Sequence, residues 1–163
     1  MNAVGELLTL DDVRLDLDVS SKDGLLGEVA ALLATRNGLS TTQILESLVA
    51  REQLGSTGMG HGVAIPHART ARCTAPAAVF VRTRAAIAFG APDAKPVSLF
   101  LGLIVPDRAT ERHLLILSTA AAMFSDRAFR EKLRAGENPS AILDLLAGWA
   151  EAPANPDVRT KAS

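Results

Sequence analysis

The chain has 163 residues, 48% hydrophobic and 21% charged, a balance that suits one globular domain with a sizeable core. Its 17 basic and 18 acidic residues leave a formal net charge of -1, so no electrostatic footprint for nucleic acid or an anionic membrane is present. Cys73 is the single cysteine, which excludes an internal disulfide and every multi-cysteine zinc pattern and fits a reducing compartment.

At the N-terminus no basic region precedes an apolar stretch, and Glu6, Asp11 and Asp12 interrupt the early leucines. No secretory signal is expected, and the chain is placed in the cytoplasm. Ser20 and Asp23 form a capping-box pattern, after which Leu25, Leu26, Val29, Leu32 and Leu33 recur at helical spacing until Asn37-Gly38 stops the run. Ser40 and Gln43 make a second box, and Ile44, Leu45, Leu48 and Val49 predict a second helix ending near Arg51 or Glu52. The segment GSTGMGHG, with glycine at 55, 58, 60 and 62, predicts a loop. The following VAIP predicts a short strand that leaves Pro66-His67 at its end.

Ala77 to Thr83 and Val97 to Val105 are the two clearest strands, with turn residues and room for a short strand around Ile87 between them. The Val97 run lies between Pro96 and Pro106, far short of the roughly 20 residues a membrane helix needs, and reads as a buried strand. Leu114, Leu117, Ala121 and Phe124 predict a third helical stripe, and Ser125 can cap a fourth helix carrying Phe129 and Leu133. Asn138-Pro139 opens a fifth that buries Ile142, Leu145, Leu146 and Trp149. Beyond Trp149 the pattern is lost, so residues 1–152 form the expected domain and 153–163 a flexible tail. Helices first, strands in the middle and helices last suggest a sheet sandwiched by helices, α/β or α+β.

Two of the three histidines, His61 and His67, fall in one glycine-rich stretch, and the third, His113, opens the helix after the VSLFLGLIV strand. A metal site is the weaker reading, because the six-residue spacing is unlike HExxH and no cysteine or acid lies in the stretch. Nucleophilic hydrolysis through Ser56 or Thr57 lacks a G-x-S-x-G elbow, and the glycine loop lacks the Gly-Lys-Ser/Thr ending of a P-loop. Phosphoryl transfer through histidine fits best: imidazole, with an ordinary pKa near 6.5, is largely unprotonated and nucleophilic at cytoplasmic pH. Phosphate charge could be met by backbone N–H groups such as that of Gly60, by the Ser56 and Thr57 hydroxyls and by the Arg51 guanidinium. Each residue also has a plain reading: His67 as a strand-end residue, His113 as a helix-start surface residue, Arg51 as a solvated helix end.

REQLGSTGMGHGVAIPHA, from Arg51 to Ala68, resembles the active-site signature of the fructose/mannitol/nitrogen-regulatory class of phosphotransferase-system enzyme IIA domains. The likeness extends through IAFGAPDAKPVSLFLGLIVP and ERHLLILS and covers about residues 6 to 149. It implies a single α/β domain, a small mixed sheet flanked by helices on both faces. It implies that His67, in the IPH triplet, is the phosphohistidine, loaded by a phosphorylated HPr-type carrier protein. His113 then matches the second active-site histidine and Arg51 the arginine near the phosphate; from the residues alone, Ser56, Thr57 and Gly60 are the expected phosphate supports and no metal or cofactor is expected. His61 stands at a variable position, often asparagine, and carries no implied role; Ala68 stands where glycine is common. The phosphoryl group would pass to an enzyme IIB, or the phosphorylation state itself would act on a regulatory target protein. Without a fused IIB or IIC segment the chain resembles the nitrogen-regulatory subtype more than a sugar-permease component. A fructose/mannitol-type permease IIA or a purely regulatory binding module are the alternatives.

Overall fold

The two long apolar runs are central strands because each has both faces covered. In the computed structural model, which describes residues 1–108 and 110–151, six strands form one sheet: β1 (Val13–Leu17), β2 (Gly58–Gly60), β3 (Val63–Ala64), β4 (His67–Thr70), β5 (Ala77–Ile87) and β6 (Val97–Pro106). The order is β1-β5-β6-β3-β2, with β4 also on β6; β5 runs antiparallel to β6, while β1 on β5 and β3 and β4 on β6 are parallel. The tail expected at 153–163 lies outside the described residues.

Helices α1 (Lys22–Asn37) and α2 (Thr41–Gln53) cover one face, and α3 (Thr110–Ser125), α4 (Arg127–Ala135) and α5 (Pro139–Gly148) the other. Alternation along β6 feeds both cores: Phe100 and Ile104 join Val29, Leu33 and Leu48, whereas Leu99, Leu101 and Leu103 join Ile116, Phe124, Leu133 and Leu146. Gly102 leaves room on the first face, where a Cβ would strike the Val29 side chain. The mixed sheet with helices on both faces is therefore the fold expected. Arg82 of β5 fastens α4 at its C-terminal end, its Nη1 donating to Leu133 O at 2.9 Å and Gly136 O at 2.7 Å.

β3 and β4 are one strand interrupted. The pairs Val63–Leu99, Ala64–Phe100, His67–Leu103 and Ala68–Ile104 keep one register along β6. Pro66 has no N–H to give the ladder, but its carbonyl accepts from Leu103 N at 2.9 Å, so the strand passes the break without slipping.

Several expectations are corrected. The glycine-rich stretch is not all loop: β2 and β3 form a hairpin, and His61 (φ 57°) and Gly62 (φ 78°) are its two turn residues, both left-handed as a type I′ turn requires. His67 begins β4 instead of ending a strand. Ile87 ends β5, pairing with Val97, and is not a separate strand. In α3 the buried residues are His113, Ile116, Ala120, Met123 and Phe124, while Leu114 is 63% exposed. Of the stripe expected at Leu114, Leu117, Ala121 and Phe124, Phe124 is buried and Leu117 packs half-buried against the core, whereas at the start of the helix His113 and not Leu114 faces inward. The caps also move by one, to Ser21, whose hydroxyl accepts from Gly24 N, and to Asp126, whose carboxylate accepts from Phe129 N. β1, an edge strand with the alternation VRLDL, had no counterpart among the expected elements.

Candidate functional site

Where α2 ends beside β4 and the start of α3, an open cleft of about 500 Å³ is lined by Ser47, Ala50, Arg51, Leu54, His67, Ala68, Arg69 and His113. No lining residue is acidic and two are arginines, so the cleft favours an anion.

His67 is half-buried, and its Nδ1 lies 2.6 Å from Ile65 O. A carbonyl only accepts, so Nδ1 carries the hydrogen and Nε2 keeps its lone pair. Burial holds the pKa of His67 below the ordinary 6.5; the bond to Ile65 opposes that, Arg51 adds to it and Glu52 opposes it. The ring is thereby a neutral imidazole of fixed tautomer at neutral pH.

His113 enters because α3 is turned inward. It is 6% exposed, its ring centroid is 6.2 Å from that of His67 at an interplanar angle of 49°, and its buried Nδ1 has no hydrogen-bond partner among the described residues. Burial lowers its pKa, with Arg69 and His67 adding to the effect. Arg51, in the last turn of α2, donates from Nη1 to Gly55 O at 2.8 Å, which holds the guanidinium at the cleft.

Ser56, Thr57 and Gly60 do not line the cleft, and the first two have other partners. The Ser56 hydroxyl donates to Phe89 O at 2.8 Å and accepts from Gly58 N at 3.0 Å. The buried Glu52 carboxylate takes both the backbone N–H and the hydroxyl of Thr57 and pairs with Lys22 Nζ at 2.8 Å. Gly60 (φ 86°) enters the hairpin turn beside Asp93. His61, at the turn, is likewise not brought to His67.

Two contributors escaped the sequence reading. Arg69 lies two residues after His67 in β4, and the period of two that puts them on one face was the available signal. The Lys22–Glu52–Thr57 network spans residues far apart in sequence and left no local signal.

Residues 6–148 match the family described as phosphoenolpyruvate-dependent sugar phosphotransferase system, EIIA 2. A "Nitrogen regulatory protein" of Pseudomonas aeruginosa is 37% identical over 142 residues, 86% of this chain and 92% of the relative. A "PTS system fructose-specific EIIA component" of Haloferax volcanii is 38% identical over 149 residues, 91% and 97% of the two chains. The crystal structure of nitrogen regulatory protein IIA-Ntr from Neisseria meningitidis superposes with a TM-score of 0.85 at 44% identity, covering 88% of this chain and 98% of the other.

Proposed function

This chain belongs to the EIIA 2 family of the phosphoenolpyruvate-dependent sugar phosphotransferase system, a family of phosphoryl carriers, and we propose that His67 Nε2 is the atom that takes the phosphoryl group. The observation that carries this is the 2.6 Å bond from His67 Nδ1 to Ile65 O, which leaves Nε2 unprotonated inside an acid-free cleft.

The donor is a phosphohistidine on an HPr-type carrier protein. As the bond from His67 Nε2 to phosphorus forms, the donor's P–N bond breaks and the donor imidazole leaves with the electron pair; the proton on Nδ1 stays where it is. Arg51 meets the phosphoryl oxygens, and His113, whose ring lies 6.2 Å from that of His67, steadies the phosphate or the His67 ring. Leu54, which lines the cleft, is 86% exposed, and Leu114 (63%) and Leu115 (57%) follow His113 on α3, exposed apolar side chains suited to a protein donor.

We assign the output to regulation, the phosphorylation state acting on a target protein in the cytoplasm, since the relatives named above include nitrogen regulatory proteins. Transfer onward to an enzyme IIB is the second reading, favoured by the fructose-specific relative. Incubation with enzyme I, the HPr-type carrier and phosphoenolpyruvate should add the mass of one phosphoryl group, acid-labile and alkali-stable, mapping to His67. Addition at a hydroxyl or another histidine would overturn the assignment.

A further inference from the structure

At the other end of β6 a second open cavity, about 490 Å³, is lined by His61, Lys95, Ser98, Arg127, Arg130 and Arg134 among others. Ser98 is five residues from Leu103, the partner of His67, or roughly 17 Å along a strand rising about 3.3 Å per residue. The two sites are separate.

The cavity's charges are not balanced from within. Lys95 and three arginines face one acid, Glu131, which pairs with Arg127 at 3.4 Å. Asp93, next to the cavity, is occupied by the N–H groups of His61 and Lys95 at 2.9 and 3.1 Å. Arg130 is only 7% exposed; its Nη1 donates to Phe124 O at 2.9 Å, and its buried Nε has no acceptor among the described residues. Arg134 is held by His61 O, and among the described residues neither Arg130 nor Arg134 has a carboxylate within 4.0 Å. A largely buried guanidinium with no counter-ion is costly, and an anion in the cavity supplies one. Burial, then the charge of Arg130, lowers the pKa of Arg134, with Glu131 opposing the shift.

We propose that this cavity is a second anion site, which takes a small molecule through its phosphoryl group. A dianion answers four cations and one carboxylate better than a monoanion does, and guanidinium forks match phosphoryl oxygens. The volume exceeds what one phosphate fills and lies in the range of small-molecule sites. The site does not depend on His67 carrying phosphate.

Titration of the ¹⁵N-labelled full chain, wild type and His67→Ala, with inorganic phosphate and with glycerol 3-phosphate tests it, sodium chloride serving as control. Saturable NMR shifts are expected at Gly62, Lys95, Ser98, the α4 amides and Arg130 Nε–H, alike in both proteins. Tighter binding of glycerol 3-phosphate supports an esterified occupant, and equal binding supports free phosphate. Arg127→Ala and Lys95→Ala, both surface changes, should each weaken binding roughly tenfold, the loss of one charged hydrogen bond, and leave phosphoryl acceptance by His67 unchanged. Arg130→Gln should abolish binding, if it folds. Shifts that chloride reproduces, that map only to the His67 cleft, or that persist with unaltered affinity in Arg127→Ala and Lys95→Ala would overturn the proposal, as would binding confined to long polyanions.

Discussion

Replacing Arg51 with alanine should slow phosphoryl acceptance by about a hundred- to a thousandfold. The bond from Nη1 to Gly55 O at 2.8 Å keeps the guanidinium at the cleft before the donor arrives, so its contribution needs little reorganisation. A phosphoryl charge at about 4 Å gains about 4 kcal/mol at an effective dielectric near 20. Arg51 is only half-buried, and solvent reduces that gain toward the ~2.7–4 kcal/mol lost when one oxyanion donor is removed. A second effect acts in the same direction. Arg51 helps to hold down the pKa of His67, so the alanine variant titrates higher and its acid limb moves to higher pH. At neutral pH that costs little, because the ring is already mostly neutral. Arg51→Lys should restore part of the rate, keeping the charge but not the planar fork. Single-turnover transfer from a labelled phospho-carrier, followed from acid to neutral pH with circular dichroism as the folding control, measures both effects. A folded Arg51→Ala protein with the wild-type rate and an unmoved acid limb would refute the reasoning.

His67→Ala should accept no label, whereas His61→Ala, altered only at a hairpin tip, should accept it normally; peptide mass spectrometry of the labelled proteins decides. His113→Ala should fold and transfer roughly a hundredfold or more slowly, a loss in the range of a positioned acid–base group, with rapid-quench rates as the check. Both site histidines have folded pKa values below the unfolded 6.5, so their contribution to stability is complete above pH 6.5 and is lost as pH falls through the folded values. Urea midpoints measured across that window should decline less in His67→Ala/His113→Ala than in wild type. Glu52→Gln breaks the pair with Lys22 and should cost about 1–3 kcal/mol, below a fully buried pair because Lys22 is 30% exposed; urea unfolding measures it.

The sequence made β5, β6 and the core stripes of α1, α4 and α5 legible, because each carries a period or an apolar run that its own packing satisfies. It misled at α3, where Leu114 and Leu115 continue an apolar stripe locally but face outward, and His113 takes the buried position instead. Only the neighbouring sheet decides which way that helix turns. The glycine-rich stretch misled differently: its glycines do signal a turn, but His61 adopts a left-handed conformation without being glycine, and the hairpin closes on both sides of it. That an asparagine is common there in the resembling family agrees with the preference of type I′ turns for Asn-Gly. Of the site, the resemblance nominated His67, His113 and Arg51, and the fold places all three in one cleft. The hydroxyls of Ser56 and Thr57 looked equally eligible, because nothing local reveals that Phe89 O and Glu52 already hold them.

The bond between His67 Nδ1 and Ile65 O has a consequence for the return journey of the phosphoryl group. A phosphorylated imidazole whose far nitrogen keeps its proton departs as neutral imidazole, whereas one that has lost it must depart as an anion and is a far worse leaving group. The carbonyl at 2.6 Å can only accept, so it favours the protonated far nitrogen once Nε2 is occupied, as it does before. With His67 as the proposed acceptor, one backbone oxygen beside the strand break at Pro66 would serve both loading and discharge, and the phosphoryl group would stay transferable in either direction.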